Sequence, residues 1–490
     1  MIKYILKNRN YLNLVSDSLI LLRFENNYTD KSVKDIDKKL KGSFIEKINK
    51  QKFDGQYAKS VQIDTVGNYK FKNILLIGLG NKNEFNYLRA FRIGNIINKR
   101  SRELASSIIL DISKVDKKYL GSIIHGINIG NYEYNKHKTA NNNKNIINEV
   151  FVYSSKLSKR HFDSQTNYAR SISDSVELTR DLVNDPPNKL TPSILAEKAM
   201  SITKNSKNLN CKILEEDEIA AIGMGGLTAV SLGSDEPPRF IHLSYISKNK
   251  TKKNIAIVGK GITFDSGGLC LKPADSMRTM KMDMAGSAVV LGVMKAVSEL
   301  KPNVNVHGII PTTENMTGGS AYKPDDVITA FNGKTIEIIN TDAEGRIALS
   351  DALSYSVENN MSEIIDLATL TGACIVGLGL YTAGVMGNNQ KLIDGILKSA
   401  QVAGEKMWQL PLDEELRKEI KSSVADVKNV GSRWGGAITA ALFLENFVGD
   451  TPWVHIDIAG PSFIEKQTDW YPYGATGFGV STIVQYLMNK

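Results

Sequence analysis

Three charged residues stand at every second position in "NTDAEGR", residues 340–346: Asp342, Glu344 and Arg346. In an extended segment that spacing points all three to one side, and the apolar run "TIEII" just before it reads as the strand that delivers them. Two carboxylates held together raise each other's pKa unless a cation neutralises them. Arg346 could be that cation; a metal ion is the alternative, and it needs further ligands. Two other segments offer them. "VGKGITFDSGGLCLKP" presents Lys260, Asp265 and Lys272, and "MKMDMAG" presents Asp283 just before a helical pattern. Four acids exceed what two lysines and one arginine require as partners, and match what two closely spaced divalent cations require. None of the six histidines falls in these segments, which excludes a His-rich zinc protease site. An oxygen-dominated set suits Mn²⁺ or Mg²⁺, with Zn²⁺ also compatible. Ser266 in "FDSGG" lacks the G-x-S-x-G setting of a serine hydrolase.

The elements that must position these residues are legible around them. From residue 254, "NIAIVGKG" reads as a strand, "MAGSAVVLGVMKAVSEL" as a helix and "VNVHGIIP" as a strand. "TIEII" (strand), "ALSDALSYSVENN" (helix) and "EIIDLATLTGA" (strand) continue the alternation. Strands separated by helices of this length imply an α/β fold with a mixed, largely parallel sheet covered by helices on both faces. Ligands in such folds collect at the carboxyl ends of strands, where the four acids lie. The first part of the chain alternates too, with strands at "NILLIGLG" (73–80) and "SSIILDI" (106–112) and a helix at "NYLRAFRIGNIINKR". Its GLG lacks a full GxGxxG, so an ordinary tight strand-to-helix turn is the better reading than a nucleotide loop. The polar tract 135–145 reads as an exposed loop. A helical stretch at about 165–182 then runs into "NDPPNKLTPSILAEKAM", where Thr191-Pro192 has the form of a helix start. We therefore expect a smaller N-terminal α/β domain (1–162), a helical linker (163–190) and a larger catalytic domain (191–490).

The same residues carry a resemblance. "NTDAEGR" resembles the signature of the leucyl (cytosol) aminopeptidases, and "VGKGITFDSGGLCLKP" resembles their metal and lysine loop. "DLATLTGA", "GGAITAALFLENFV", "PWVHIDIAGPSF" and "GATGFGV" continue it in order over roughly 180–490, with Ala285, Ile347 and Ser350 departing from the commonest pattern. The resemblance implies a dinuclear metallo-exopeptidase that removes N-terminal residues, leucine and other bulky apolar ones preferred, in intracellular peptide turnover. Asp265, Asp342 and Glu344 would bind one ion; Lys260, Asp265, Asp283 and Glu344 would bind the other. Lys272 and Arg346 would be catalytic, Lys272 against the scissile carbonyl and Arg346 holding bicarbonate as the proton shuttle. A water bridging the two ions would supply the nucleophilic hydroxide. Met280, Asn340, Thr369, Leu370 and Gly372, with Lys272, would line the substrate site. A homohexamer is implied by the resemblance alone. Lys260 has a competing role as a charged partner of Asp265 or Asp283.

Composition narrows the rest. A chain of 490 residues with 42% hydrophobic and 23% charged residues is an ordinary globular protein of about two domains. The N-terminus, with Lys3, Lys7, Arg9 and Asp17 among its apolar residues, does not read as a signal peptide. The uncharged stretch 367–390 holds too many glycines and polar residues for a membrane span and reads as a buried strand and a Gly-rich loop. A cytoplasmic protein is expected. Cys211, Cys270 and Cys374 show no CxxC or CxxH spacing, against both a zinc finger and a disulfide framework. Residues 1–160 carry 30 Lys and Arg against 14 Asp and Glu, and residues 161–490 carry 31 against 38. A nucleic-acid partner is compatible with that basic part, but a general Lys/Asn/Ile bias explains it without one. Nor does any phosphate-cradling glycine loop accompany the acids, as a phosphoryl-transfer enzyme would need. His307 and His455 read as satisfied core histidines, and Trp408, Trp434, Trp453 and Trp470 as packing residues.

Overall fold

The computed structural model describes every residue except 1, 9–10, 103–104, 140–145, 205, 250–252 and 469. The second half of the polar tract 135–145 thus lies outside the described residues. The chain divides into two compact units, Met1–Ser173 and Asp174–Lys490, and the division falls inside the long helix Lys159–Asn184.

The first unit is built on a six-stranded sheet. Its central strands Ser18–Arg23 and Asn73–Gly78 are buried at every position, as continuous apolar runs in a covered parallel sheet should be. Only the edge strand Ser60–Asp64 runs antiparallel to its neighbour. Val33, Ile36, Phe44 and Ile48 from two short helices close one face over Leu19, Leu21, Ile74 and Leu76. The GLG turn does end a strand. A Cβ on Gly78 would lie 2.0 Å from the Gln56 carbonyl oxygen, and one on Gly80 2.9 Å from Tyr57 Cβ. These glycines exist so that the 55–57 backbone can pack against them, and the space a phosphate would need is filled.

The second unit holds a nine-stranded mixed sheet. Four neighbouring strands at its centre, Trp453–Asp457, Glu363–Ala368, Asn254–Gly259 and Asn305–Asn315, are parallel. One face carries Ile347, Leu349 and Leu353 of the helix Glu344–Glu358 and Ala441 and Leu444 of the helix Gly436–Glu445. The other carries the helix Ala285–Leu300, whose Val290 and Met294 meet the sheet at Gly308. Each fully buried Ile or Leu here contributes about 1.5–3 kcal/mol. Thr191 caps the helix Pro192–Thr203 with Pro192 at its first position. Two expectations fail. Only Thr335–Glu337 of "TIEII" is strand, and it belongs to a separate three-stranded sheet. Where a Gly-rich loop was expected, Thr371 accepts from Cys374 N and starts a short helix, Gly372–Leu378. All three cysteines are free thiols. Among the described residues no helix is long and apolar enough to cross a membrane.

Candidate metal centre

The four acids arrive on three segments at the carboxyl end of the sheet. Lys260 follows the strand Asn254–Gly259, and Asp265 ends the strand Gly261–Asp265, where pairing with Asn305–Asn315 slips register after Ile262. Asp283 sits in a 3₁₀ turn, Met280–Met284, that leads into the helix Ala285–Leu300. Asp342 and Glu344 are not in an extended segment, as their alternation suggested. Asn340 accepts a hydrogen bond from Asp342 N (2.8 Å), which closes a 3₁₀ turn at Thr341–Ala343, and Glu344 is the first residue of a helix. Local side-chain capping thus overrides the period-2 pattern, and the carboxylates converge from a helix start.

Two ammonium groups divide the four acids. Lys260 Nζ lies 2.7 Å from Asp283 Oδ2 and 2.9 Å from Glu344 Oε1, and donates to the Thr369 carbonyl at 3.1 Å. Lys272 Nζ lies 2.9 Å from Asp265 Oδ2 and 2.5 Å from Asp342 Oδ1. Glycine at 345 is required here, since a Cβ would stand 2.5 Å from Lys260 Nζ. One oxygen each of Asp265, Asp342 and Glu344 fall within 4.8 Å of one another. Lys260, Asp265, Asp283 and Glu344 are all buried. Lys272 and Asp342 keep 14% and 31% of their side chains exposed, so the cluster opens to solvent on their side.

The charges do not balance. Burial raises Asp265 to about 6, helped by the neighbouring Glu344 charge, and burial carries Asp283 well above the usual carboxylate range. Burial also pushes Glu344 up, but Lys260 outweighs it and holds the group below its ordinary value. Burial would strip the proton from Lys260, yet Asp283, Glu344 and Asp265 raise its pKa instead, so it is an ammonium in this arrangement. Asp283 Oδ2, Asp342 Oδ1 and Glu344 Oε1 are buried, and among the described residues each meets a lysine ammonium and no neutral donor. A surplus of buried, donor-poor carboxylate oxygens is the donor set that hard divalent cations need, so the residues fit the expected group.

Arg346 is not the neutralising cation. It donates to the Asn429 carbonyl (2.7 Å), its Nε has no partner among the described residues, and burial lowers it to about 10. A buried guanidinium with spare donors can hold a small anion. Thr369 is tied directly into the cluster, donating to Asp283 Oδ1 at 2.8 Å. Leu370 N donates to Asp457 at 3.3 Å; Met280 begins the turn that carries Asp283, and Gly372 begins the exposed short helix. Asn340 spends its side-chain oxygen on its own turn.

Sequence reasoning missed two buried asparagines. Asn315, at the carboxyl end of its strand, touches Asp265 and Glu344. Asn429 accepts from Ile339 N and Arg346, and donates to the Asn340 carbonyl. A polar residue ending an apolar strand, as in "HGIIPTTEN", was the available sign for the first. The histidines are only half satisfied. His455 Nδ1 pairs with Asp366 (2.6 Å) and His307 Nδ1 with His242 (2.9 Å), but each Nε2 is buried without a partner among the described residues. Trp453 packs in the core, whereas Trp408 and Trp434 are 65% and 68% exposed and do not.

The chain also matches known proteins over nearly its whole length. Residues 177–484 match the catalytic-domain model of the cytosol aminopeptidase family, and residues 20–141 match the family's N-terminal-domain model. A probable cytosol aminopeptidase of Persephonella marina is 44% identical over 467 residues, covering 94% of this chain and 93% of that protein. One from Aquifex aeolicus is 45% identical over 447 residues, 89% of each. A mutant of tomato leucine aminopeptidase superposes with a TM-score of 0.90 at 32% identity, over 100% of this chain and 97% of that one. A bottromycin maturation enzyme in complex with Mn gives 0.86 at 29% identity, over 97% and 99%.

Proposed function

The chain belongs to the cytosol aminopeptidase family and is a metal-dependent exopeptidase acting at peptide N-termini; from that premise we propose that it works through two divalent ions held by Lys260, Asp265, Asp283, Asp342 and Glu344. The observation that carries this reading is the surplus of buried carboxylates over ammonium groups in one cluster. Asp265, paired with Lys272, and Glu344, paired with Lys260, would be the two shared ligands. Mn²⁺ or Zn²⁺ is proposed, with Mg²⁺ compatible. When bound, such a pair supplies Lewis acidity and a water ionised near neutral pH.

The chain's own residues do the rest. Lys272 reaches solvent, stays protonated because Asp265 and Asp342 outweigh its burial, and would donate to the oxygen of the scissile carbonyl as charge develops there. Arg346 would hold a bicarbonate as the base that moves the proton from water to the leaving amine. Met280, Asn340, Thr369, Leu370 and Gly372 would form the substrate wall, with a preference for leucine and other bulky apolar side chains. A cytoplasmic homohexamer engaged in peptide turnover completes the proposal. The test is hydrolysis of leucine-p-nitroanilide after chelation and after Mn²⁺ is restored. Activity should vanish and return, and the N-acetylated substrate should be inert, since an amide nitrogen cannot replace the free amine as a ligand. Turnover that survives exhaustive chelation, or equal rates on blocked and free substrates, would overturn it.

A further inference from the structure

The four acids need something other than the ions themselves to hold their geometry, and the structure puts one uncharged side chain between two of the segments that carry them. Asn315 is fully buried at the carboxyl end of the strand Asn305–Asn315. Its Nδ2 donates to Asp265 Oδ1 at 2.8 Å and to the Thr341 carbonyl at 3.0 Å, and lies 3.4 Å from Glu344 Oε2. All three neighbours are acceptors, so the amide orientation is dictated: a flipped Asn315 would set its oxygen against two carboxylates. The second donor to Asp265 Oδ1 is Gly267 N (2.8 Å), which leaves Oδ2 turned to Lys272. The Thr341 carbonyl has a second donor in Tyr322 (2.7 Å), and Thr341 Oγ1 donates to Gly267 O while accepting from Cys270 N. The 265–272 loop and the 341–344 turn are thus laced together: Lys272 reaches a carboxylate of each as a cation, and Asn315 does so as an uncharged donor.

We infer that Asn315 is a positioning residue of the metal centre: one amide group fixes the two shared carboxylates, Asp265 and Glu344, at the spacing that two divalent ions require. A neutral donor suits the task. A lysine or arginine at this place would compete with the ions for the same oxygens, whereas an amide orients the carboxylates without cancelling their charge. Partners of this kind behind metal ligands are worth about 10–100-fold in metal affinity. The inference rests on the dinuclear reading above.

Mn²⁺ binding to the chelated full-length protein, followed by calorimetry, separates donor from packing. Asn315→Leu keeps the branched skeleton and removes the donor; Asn315→Ser keeps one hydroxyl donor and loses volume. Both steps of the isotherm should weaken about 10–100-fold in Asn315→Leu, with Asn315→Ser lying between it and wild type. Wild-type Mn²⁺ affinity in a folded Asn315→Leu, or tighter binding in Leu than in Ser, would show that the residue only packs and would overturn the inference. If Asn315→Leu does not fold, Asn315→Ser against Asn315→Ala decides it: tighter binding in Ser supports the donor, equal binding overturns it. Should the wild-type protein itself take up no Mn²⁺, the dinuclear reading falls; two equivalents in wild type with unchanged affinity in the variants sinks the Asn315 assignment alone.

Discussion

Each unit of the chain buries a cluster of ionic side chains at the carboxyl ends of its parallel strands, and the two clusters are built to opposite accounts. In the first unit Arg23, which ends one strand, lies 3.2 Å from Asp111, which ends the next, and 3.3 Å from Asp30. Lys114 lies 3.0 Å from Asp30, and Arg23 donates further to Ser32 (2.6 Å) and the Leu22 carbonyl (2.9 Å). Two cations meet two anions, and two neutral oxygens accept from Arg23 as well. In the second unit two ammonium groups meet four carboxylates. The consequence shows in the acids themselves: burial opposes ionisation in both, yet the donors around Asp30 hold it at about 2, while Asp265 is driven to about 6. A balanced cluster is a fastening of the fold. An unbalanced one is unfinished without added positive charge, and this is what makes it a site.

The largest expected effect separates the two at once. Asp283→Ala should lose metal and at least about 10³-fold in activity, since an ion contributes several kcal/mol to the transition state. Yet in chelator its stability should lie within about 1 kcal/mol of wild type, because relieved repulsion offsets the lost contacts to Thr369 and Lys260, and Lys260 keeps its pair with Glu344. Elemental analysis and melts in chelator check both halves. Lys260→Arg sharpens the point, as it preserves charge but offers no lone pair. It should retain one of two metal equivalents and little activity at any pH; two tightly held equivalents would make Lys260 a charge partner only.

The mirror experiment breaks the balanced cluster. Arg23→Met strands Asp111 and Asp30, and removing one partner of a buried pair costs about 3–5 kcal/mol. The expected result is a large loss of stability by denaturant melts, with metal content per folded molecule unchanged. A mild effect here would mean that the first cluster is not a fastening and that the comparison fails.

How much of this could be read in the chain follows from the same contrast. The continuous apolar runs of the catalytic sheet and the acids just beyond them were legible, because a buried parallel strand and its loop differ sharply in composition. "NIAIVG" and "EIIDLA" are strands as expected. The local form of 340–344 was not, since alternating charges mimic a strand while the Asn340 cap decides for a turn. Asn315 and Asn429 were silent because an amide's role depends entirely on what tertiary structure brings to it. The cluster around Arg23 went unnoticed for a similar reason: Arg23 and Asp111 lie 88 positions apart.

Arg346→Ala probes a buried cation near the site whose Nε has no partner among the described residues. Its guanidinium touches the Asn429 carbonyl and is not among the ion pairs of the four acids. Removing it should therefore leave metal content near wild type and lower kcat about 10²-fold, the range for loss of a positioned proton carrier. Added bicarbonate should restore part of the rate. Depletion of metal to the level of Asp283→Ala would place Arg346 among the groups that hold the centre together and erase the division of labour.

The smallest effect tests the balanced cluster by pH. Burial pushes Asp30 up, but the Ser32 hydroxyl, Arg23, Lys114 and Val33 N–H outweigh it and hold the group at about 2, against an ordinary value of about 3.9. The unfolded chain therefore takes up this proton before the folded one does. The stabilisation is complete above about pH 4 and is lost as the pH falls from there through about 2, and its size is about 2 kcal/mol. Asp30→Asn removes the titration, so wild type should exceed the variant by about that amount at pH 7 and converge with it near pH 2. Hydrogen exchange of the Ser18–Arg23 amides, corrected for the intrinsic pH dependence of exchange, reports on this unit without interference from the metal centre. A gap between the two proteins that stays constant from pH 7 to pH 2 would mean that Asp30 acts through packing and hydrogen bonds alone. Ion balance would then not be what distinguishes the two clusters.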